Sequence, residues 1–272
     1  MKLRTLVAAA LTVLVGAPLA AQTPAKGMTF TSRMELAKAT GADAGASTDM
    51  GEMMANMFKG MMFPNGPVEM EYVTDGESVR TELRGQMAML KKGSIILYQA
   101  GKTDGVVLDP AEKTYWVMKT TTPPEAAAVL AQMKPEVTVV PTGVFETILG
   151  HKAEKVNVTF RMAIPIPAGA EVPPNMPTEL VMNMENWCAS DVKMPSSVMK
   201  LAGMAVQGMP GFSMEDMVKA CPFSLRMRMR MSMMPGWEML TAVTKQGEAS
   251  PTADLFKIPE GYKEVPMPKI GG

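Results

Sequence analysis

Histidine and cysteine are almost missing from this 272-residue chain: His151 is the only histidine, and Cys188 and Cys221 are the only cysteines. A structural zinc site usually takes about four cysteine or histidine ligands, and no histidine or third cysteine lies near Cys188 and Cys221 in sequence, so a metal site there is the lesser reading. A lone histidine, with no GxSxG, HExxH, phosphate-loop or dinucleotide pattern elsewhere, leaves no recognisable catalytic set. The expectation is a protein that is not an enzyme and carries no cofactor. Charge of one sign is missing as well, with 27 basic against 27 acidic residues. Nucleic-acid binders need a strongly basic face, so that class is excluded. Beyond residue 15 no apolar run approaches the roughly 18 residues of a membrane span, so the chain is not expected to be an integral membrane protein.

The one apolar run, Leu6–Val15, follows Lys2 and Arg4 and precedes the small residues Leu19-Ala20-Ala21. That is the pattern of a cleaved signal peptide over residues 1–21, with residues 22–272 as a single exported domain and a periplasmic destination. No cysteine follows the cleavage point, which closes the acylated-cysteine lipoprotein route. Removing Lys2 and Arg4 from the 27 basic residues leaves 25 against 27 acidic ones, a net charge of about −2. In an oxidising compartment, two cysteines without a CxxC motif are expected to form one structural disulfide, Cys188–Cys221.

What the chain has in abundance is methionine, 31 residues in all. They follow two periods. Leu225-Arg-Met-Arg-Met-Arg-Met-Ser-Met233 alternates strictly, which is the pattern of a β-strand. Leu225, Met227, Met229, Met231 and Met233 then share one face, and Arg226, Arg228 and Arg230 the other. The arginines read as a solvated outer face, with an anion or phospholipid-headgroup site as the alternative. Met50, Met53, Met54, Met57, Phe58, Met61 and Met62 recur at helical spacing and predict an amphipathic helix, capped through Asp49 and Glu52 and ended by Pro64–Pro67. Methionine is unbranched and polarisable and conforms to partners of varied shape. Both faces are therefore expected to line a cavity for a hydrophobic ligand, with the helix as its lid. Packing of the same residues as ordinary core is the structural alternative.

The rest alternates between short strands and turns. Met28–Leu36 reads as a first strand, and Met70–Thr74 pairs with Ser78–Arg84 across Asp75-Gly76. Residues 94–99, 105–108 and 114–118 continue the meander. Val144–Leu149 and Lys152–Arg161 form a hairpin around Gly150-His151. Residues 178–187, 190–194 and 237–245 add strands. Residues 124–133, 196–207 and 213–220 read as helices, and the prolines of 164–177 exclude regular structure there. About ten antiparallel strands with inserted helices predict a mainly β (α+β) fold: a curved antiparallel sheet or unclosed half-barrel, its concave opening covered by helices.

Several stretches resemble the LolA-like periplasmic lipoprotein-carrier superfamily. These are Ile95-Ile96-Leu97-Tyr98, Val107-Leu108-Asp109-Pro110-Ala111-Glu112-Lys113-Thr114-Tyr115, Glu146–Lys155, the strand holding Trp187, and Ile258-Pro259-Glu260-Gly261-Tyr262-Lys263. They are similar to an uncharacterised branch of that superfamily, a domain of unknown function. The resemblance implies a half-barrel enclosing a cavity for lipid or lipoprotein acyl chains, with Arg33, Arg80 and Arg84 all candidates for the carriers' cavity arginine. Carriers and envelope-stress regulators share the fold, so a lipid-sensing protein with an envelope protein partner is an alternative function. A third is copper(I) binding by thioethers, at Met53, Met54 and Met57 or at Met231, Met233 and Met234.

Overall fold

The computed structural model describes residues 27–40, 48–118, 136–163, 178–205 and 218–268. The expected signal segment, the helix expected over 124–133, the proline-rich stretch 164–177 and most of the helix expected over 213–220 lie outside these residues.

Twelve strands form one unclosed, curved sheet. In chain order they are β1 Met28–Lys38, β2 Val68–Thr74, β3 Val79–Leu83, β4 Ile95–Tyr98, β5 Gly105–Asp109, β6 Thr114–Met118, β7 Glu136–Ile148, β8 His151–Ala163, β9 Glu179–Ala189, β10 Ser224–Met231, β11 Trp237–Glu248 and β12 Lys263–Glu264. Their spatial order is β12-β6-β5-β4-β3-β2-β1-β11-β10-β9-β8-β7. Two meanders, β1 to β6 and β7 to β11, thus meet in the middle of the sheet where β1 pairs with β11. Every pairing is antiparallel except that of the two-residue β12 with β6.

The departures from expectation have local causes. The β7–β8 hairpin turns at Leu149-Gly150, so His151 opens β8 instead of sitting in the turn. β7 also begins at Glu136, ahead of Pro141. Proline lacks the N–H that a central strand must donate, but β7 is an edge strand and the register is interrupted between Pro141 and Phe145. Residues 190–194 are not strand. β9 ends at Ala189, and the chain bends there into helix α2, Ser196–Ala205. The methionine strand ends at Met231, two residues early, because residues 232–236 form the turn: Met234 N–H donates to the Met231 carbonyl and Trp237 N–H to that of Met234.

Helix α1, Asp49–Met62, forms as expected, but its N-cap is Thr48, one residue before Asp49. The Thr48 hydroxyl accepts from Gly51 N–H at 3.0 Å, while Asp49 and Glu52 lie in the first turn, where their charge suits the helix dipole. Gly51 sits so close to the 232–236 turn that an added Cβ would stand 2.7 Å from Pro235 Cδ. Ala55, Phe63, Val68, Met70, Leu83, Leu36, Met234 and Trp237 form the buried cluster beneath the helix. Helix α2 covers a second cluster, containing Phe30, Val79, Phe223, Leu225 and Val198, and is tied to β2 by a 2.8 Å hydrogen bond between Ser197 and Thr74 hydroxyls.

Candidate ligand-binding face

Cross-strand register fixes which side chains share the face covered by α1. One row runs Met34, Thr241, Met227, Asn186, Val156 across β1, β11, β10, β9 and β8. The next runs Leu36, Met239, Met229, Met184, Val158, and a third contains Met231, Met182 and Phe160. Partners directly opposite in an antiparallel pair stand about 5 Å apart, so these thioethers form a continuous pavement over three strands. Met34, Met231 and Met239 pack on the cluster beneath α1, and Met184 packs on a cluster of Val156, Val158 and Cys188. Met182, Met227 and Met229 are half-buried and, among the described residues, pack against neither cluster. They form a thioether floor between two cores.

The expected seven-residue helix stripe does not face this floor as a unit. Met54, Phe58 and Met62 pack on the sheet cluster, whereas Met50, Met53, Met57 and Met61 are each more than half exposed. The apolar arc of α1 is wider than the surface it covers. The small residues Gly51 and Ala55 admit the closest approach, which centres the contact on their side and turns the other arc outward. Mild peroxide treatment with peptide mapping should therefore oxidise Met50, Met53, Met57 and Met61 well before the buried Met70 and Met234. Met233 lies in the 232–236 turn, and its neighbour Met234 takes the buried place. Met182, Met184 and Met239 were missed by the sequence reading, although Met182 and Met184 already alternate.

The arginines of β10 do face the other side, and they are paired. Arg226 pairs with Glu146 and stacks over Trp187 at 4.1 Å. Arg228 and Arg230 lie 3.4 and 3.1 Å from the Glu238 carboxylate, which is 2% exposed. A cavity of about 180 Å³ opens there, lined by Arg33, Glu35, Trp187, Arg226, Arg228 and the β11 run Leu240-Thr241-Ala242. Of the arginines offered for a cavity role, Arg33 borders this outer cavity beside Glu35, Arg80 pairs with Glu82, and Arg84 pairs with Glu71 and Glu82.

A wider, open depression of about 810 Å³ lies at the sheet end, where His151 Nδ1 stands 2.8 Å from Asp191 Oδ2 beside Lys193 and Lys245. The His151 hydrogen bond holds the Asp191 carboxyl below the usual aspartate range. Neither space is lined by the expected cavity methionines. Cys188 and Cys221 form the expected disulfide. Among the described residues no group of three or more His, Cys, Asp and Glu side chains is placed to hold a metal, and no helix is long and apolar enough to cross a membrane.

Residues 51–262 match the model of a family described as a domain of unknown function (DUF4412). No curated protein matches the chain. Among solved structures it is similar to an uncharacterized conserved protein from Thermus thermophilus, at 9% identity and a TM-score of 0.40 over 88% of this chain and 90% of that one. It is also similar to a LolA superfamily protein from Nitrosomonas europaea, at 7% identity and a TM-score of 0.32 over 86% and 91% of the two chains. A third similar structure is PNGF-II, at 10% identity and a TM-score of 0.35, where 89% of this chain spans only 31% of the other.

Proposed function

The chain belongs to the DUF4412 family, and from that premise we propose that it is an exported, periplasmic, non-enzymatic protein that binds a lipid or the acyl chains of a lipoprotein on its methionine-paved face. The observation that supports this reading is the floor formed by Met182, Met227 and Met229, half-buried between two packed clusters. A core normally closes such a gap with shape-matched aliphatic side chains and uses methionine sparingly. Flexible thioethers suit acyl chains of differing length and unsaturation. Each methylene withdrawn from water contributes about 0.8 kcal/mol before the cost of ordering the ligand.

One observation favours a second reading. All four exposed apolar side chains of α1 are methionines, and Met50, Met53 and Met57 follow one another at i, i+3 and i+7 on its outer face, a soft ligand set for copper(I). Native mass spectrometry of the protein purified from its own envelope separates the two. A co-purifying lipid is the expected result. Stoichiometric copper without lipid would replace the first reading with the second.

A further inference from the structure

The methionine floor is bordered by two polar groups with nothing to bind. Asn186 on β9 and Thr241 on β11 flank Met227 in one cross-strand row and share its face. Asn186 is 3% exposed, and its Nδ2 has no hydrogen-bond partner. Thr241 Oγ1 is likewise buried without one. Ser224 Oγ stands 3.3 Å from both the Asn186 Oδ1 and the Arg226 carbonyl and shares its one proton between them, and the Nδ2 end of the Asn186 amide has no acceptor. A buried donor without an acceptor is costly, and native proteins keep few of them. The side chain between the two in that row, Met227, is half-buried and unbranched, so it can change rotamer readily.

We infer that the ligand of this face carries a carbonyl group, and that Asn186 and Thr241 donate hydrogen bonds to it. The ligand class is then an ester- or amide-linked acyl chain, not a bare hydrocarbon. This rests on the binding reading above and adds the head-group chemistry to it. The hydrocarbon part lies along Met182, Met227 and Met229. The carbonyl end is fixed at the Asn186–Thr241 row, which sets how far the chain slides along the floor. An alkane would leave both donors unpaired, and that difference supplies the selectivity.

The test displaces a bound fluorescent fatty-acyl probe with dodecane, methyl laurate or N-methyl lauramide. In the wild-type protein the ester or the amide should compete at least about tenfold better than the alkane, the effect of one hydrogen bond to an otherwise unpaired donor. A stronger amide points to an N-acylated source and a stronger ester to an O-acylated one, and either order supports the inference. Asn186→Leu and Thr241→Val should each reduce the carbonyl-to-alkane ratio, and the double variant should bring it close to one. Equal competition by all three ligands in the wild type would overturn the inference while leaving hydrophobic binding intact. So would a ratio that survives in the folded double variant. Failure of the probe to bind at all would overturn the underlying reading and this inference with it.

Discussion

Replacing Cys188 and Cys221 together by alanine should lower the stability of the fold by about 3–4 kcal/mol, the loop-closure cost for a crosslink of this span. The bond joins residues 33 apart in sequence and ties the end of β9 to the segment that enters β10. Without it the unfolded chain regains the freedom of that whole loop. The folded state also loses packing, because Cys188 is 4% exposed and lies against Val156, Val158 and Met184. In a domain of this size the loss corresponds to a fall of about 10 °C in Tm. Urea titration of the wild type with and without reductant, beside the double variant, measures it. A shift under about 1 kcal/mol would mean that the β9–β10 junction is held by its strand pairing alone.

Glu238→Leu should cost about 2–3 kcal/mol, more than any other change of a single charge in the described residues. Its carboxylate is 2% exposed and is shared by Arg228 and Arg230 at 3.4 and 3.1 Å. Removing it leaves two like charges on neighbouring positions of one strand face. Breaking a fully buried pair typically costs about 3–5 kcal/mol. The lower figure applies because Arg228 and Arg230 remain 33% and 20% exposed and are partly screened by solvent. Adding Arg230→Met to Glu238→Leu should recover part of the loss, since an apolar replacement of a buried pair is often tolerated. If Glu238→Leu were neutral by urea denaturation, the arginine face would be held instead by Glu146, paired with Arg226, and by Glu185, 3.7 Å from Arg228.

The β-strand reading of the methionine run followed from its period of two, and that period alone separated the thioether face from the arginine face. Where the strand stopped was less legible, because the alternation runs on through Met233 while the hydrogen bonds of the 232–236 turn already begin at the Met231 carbonyl. The helix itself followed from spacing, but not which part of its apolar arc would be buried. Gly51 and Ala55 decide that, and small residues carry little weight in a hydrophobic pattern. β7 was half missed because Pro141 argues against a strand everywhere except at a sheet edge, and edge position is a property of topology. Asn186 and Thr241 looked like ordinary polar strand residues. Only the register brings them to either side of Met227.

The central claim is that the floor of Met182, Met227 and Met229 holds a hydrophobic guest. Native mass spectrometry of wild type and Met229→Asp, both purified from the native envelope and both shown to be folded, tests it most directly. The account predicts lipid on the wild type and none on the variant, because a carboxylate in the middle of the floor would have to be desolvated by every acyl chain laid across it. Equal lipid on the two proteins, or none on the wild type, would contradict it.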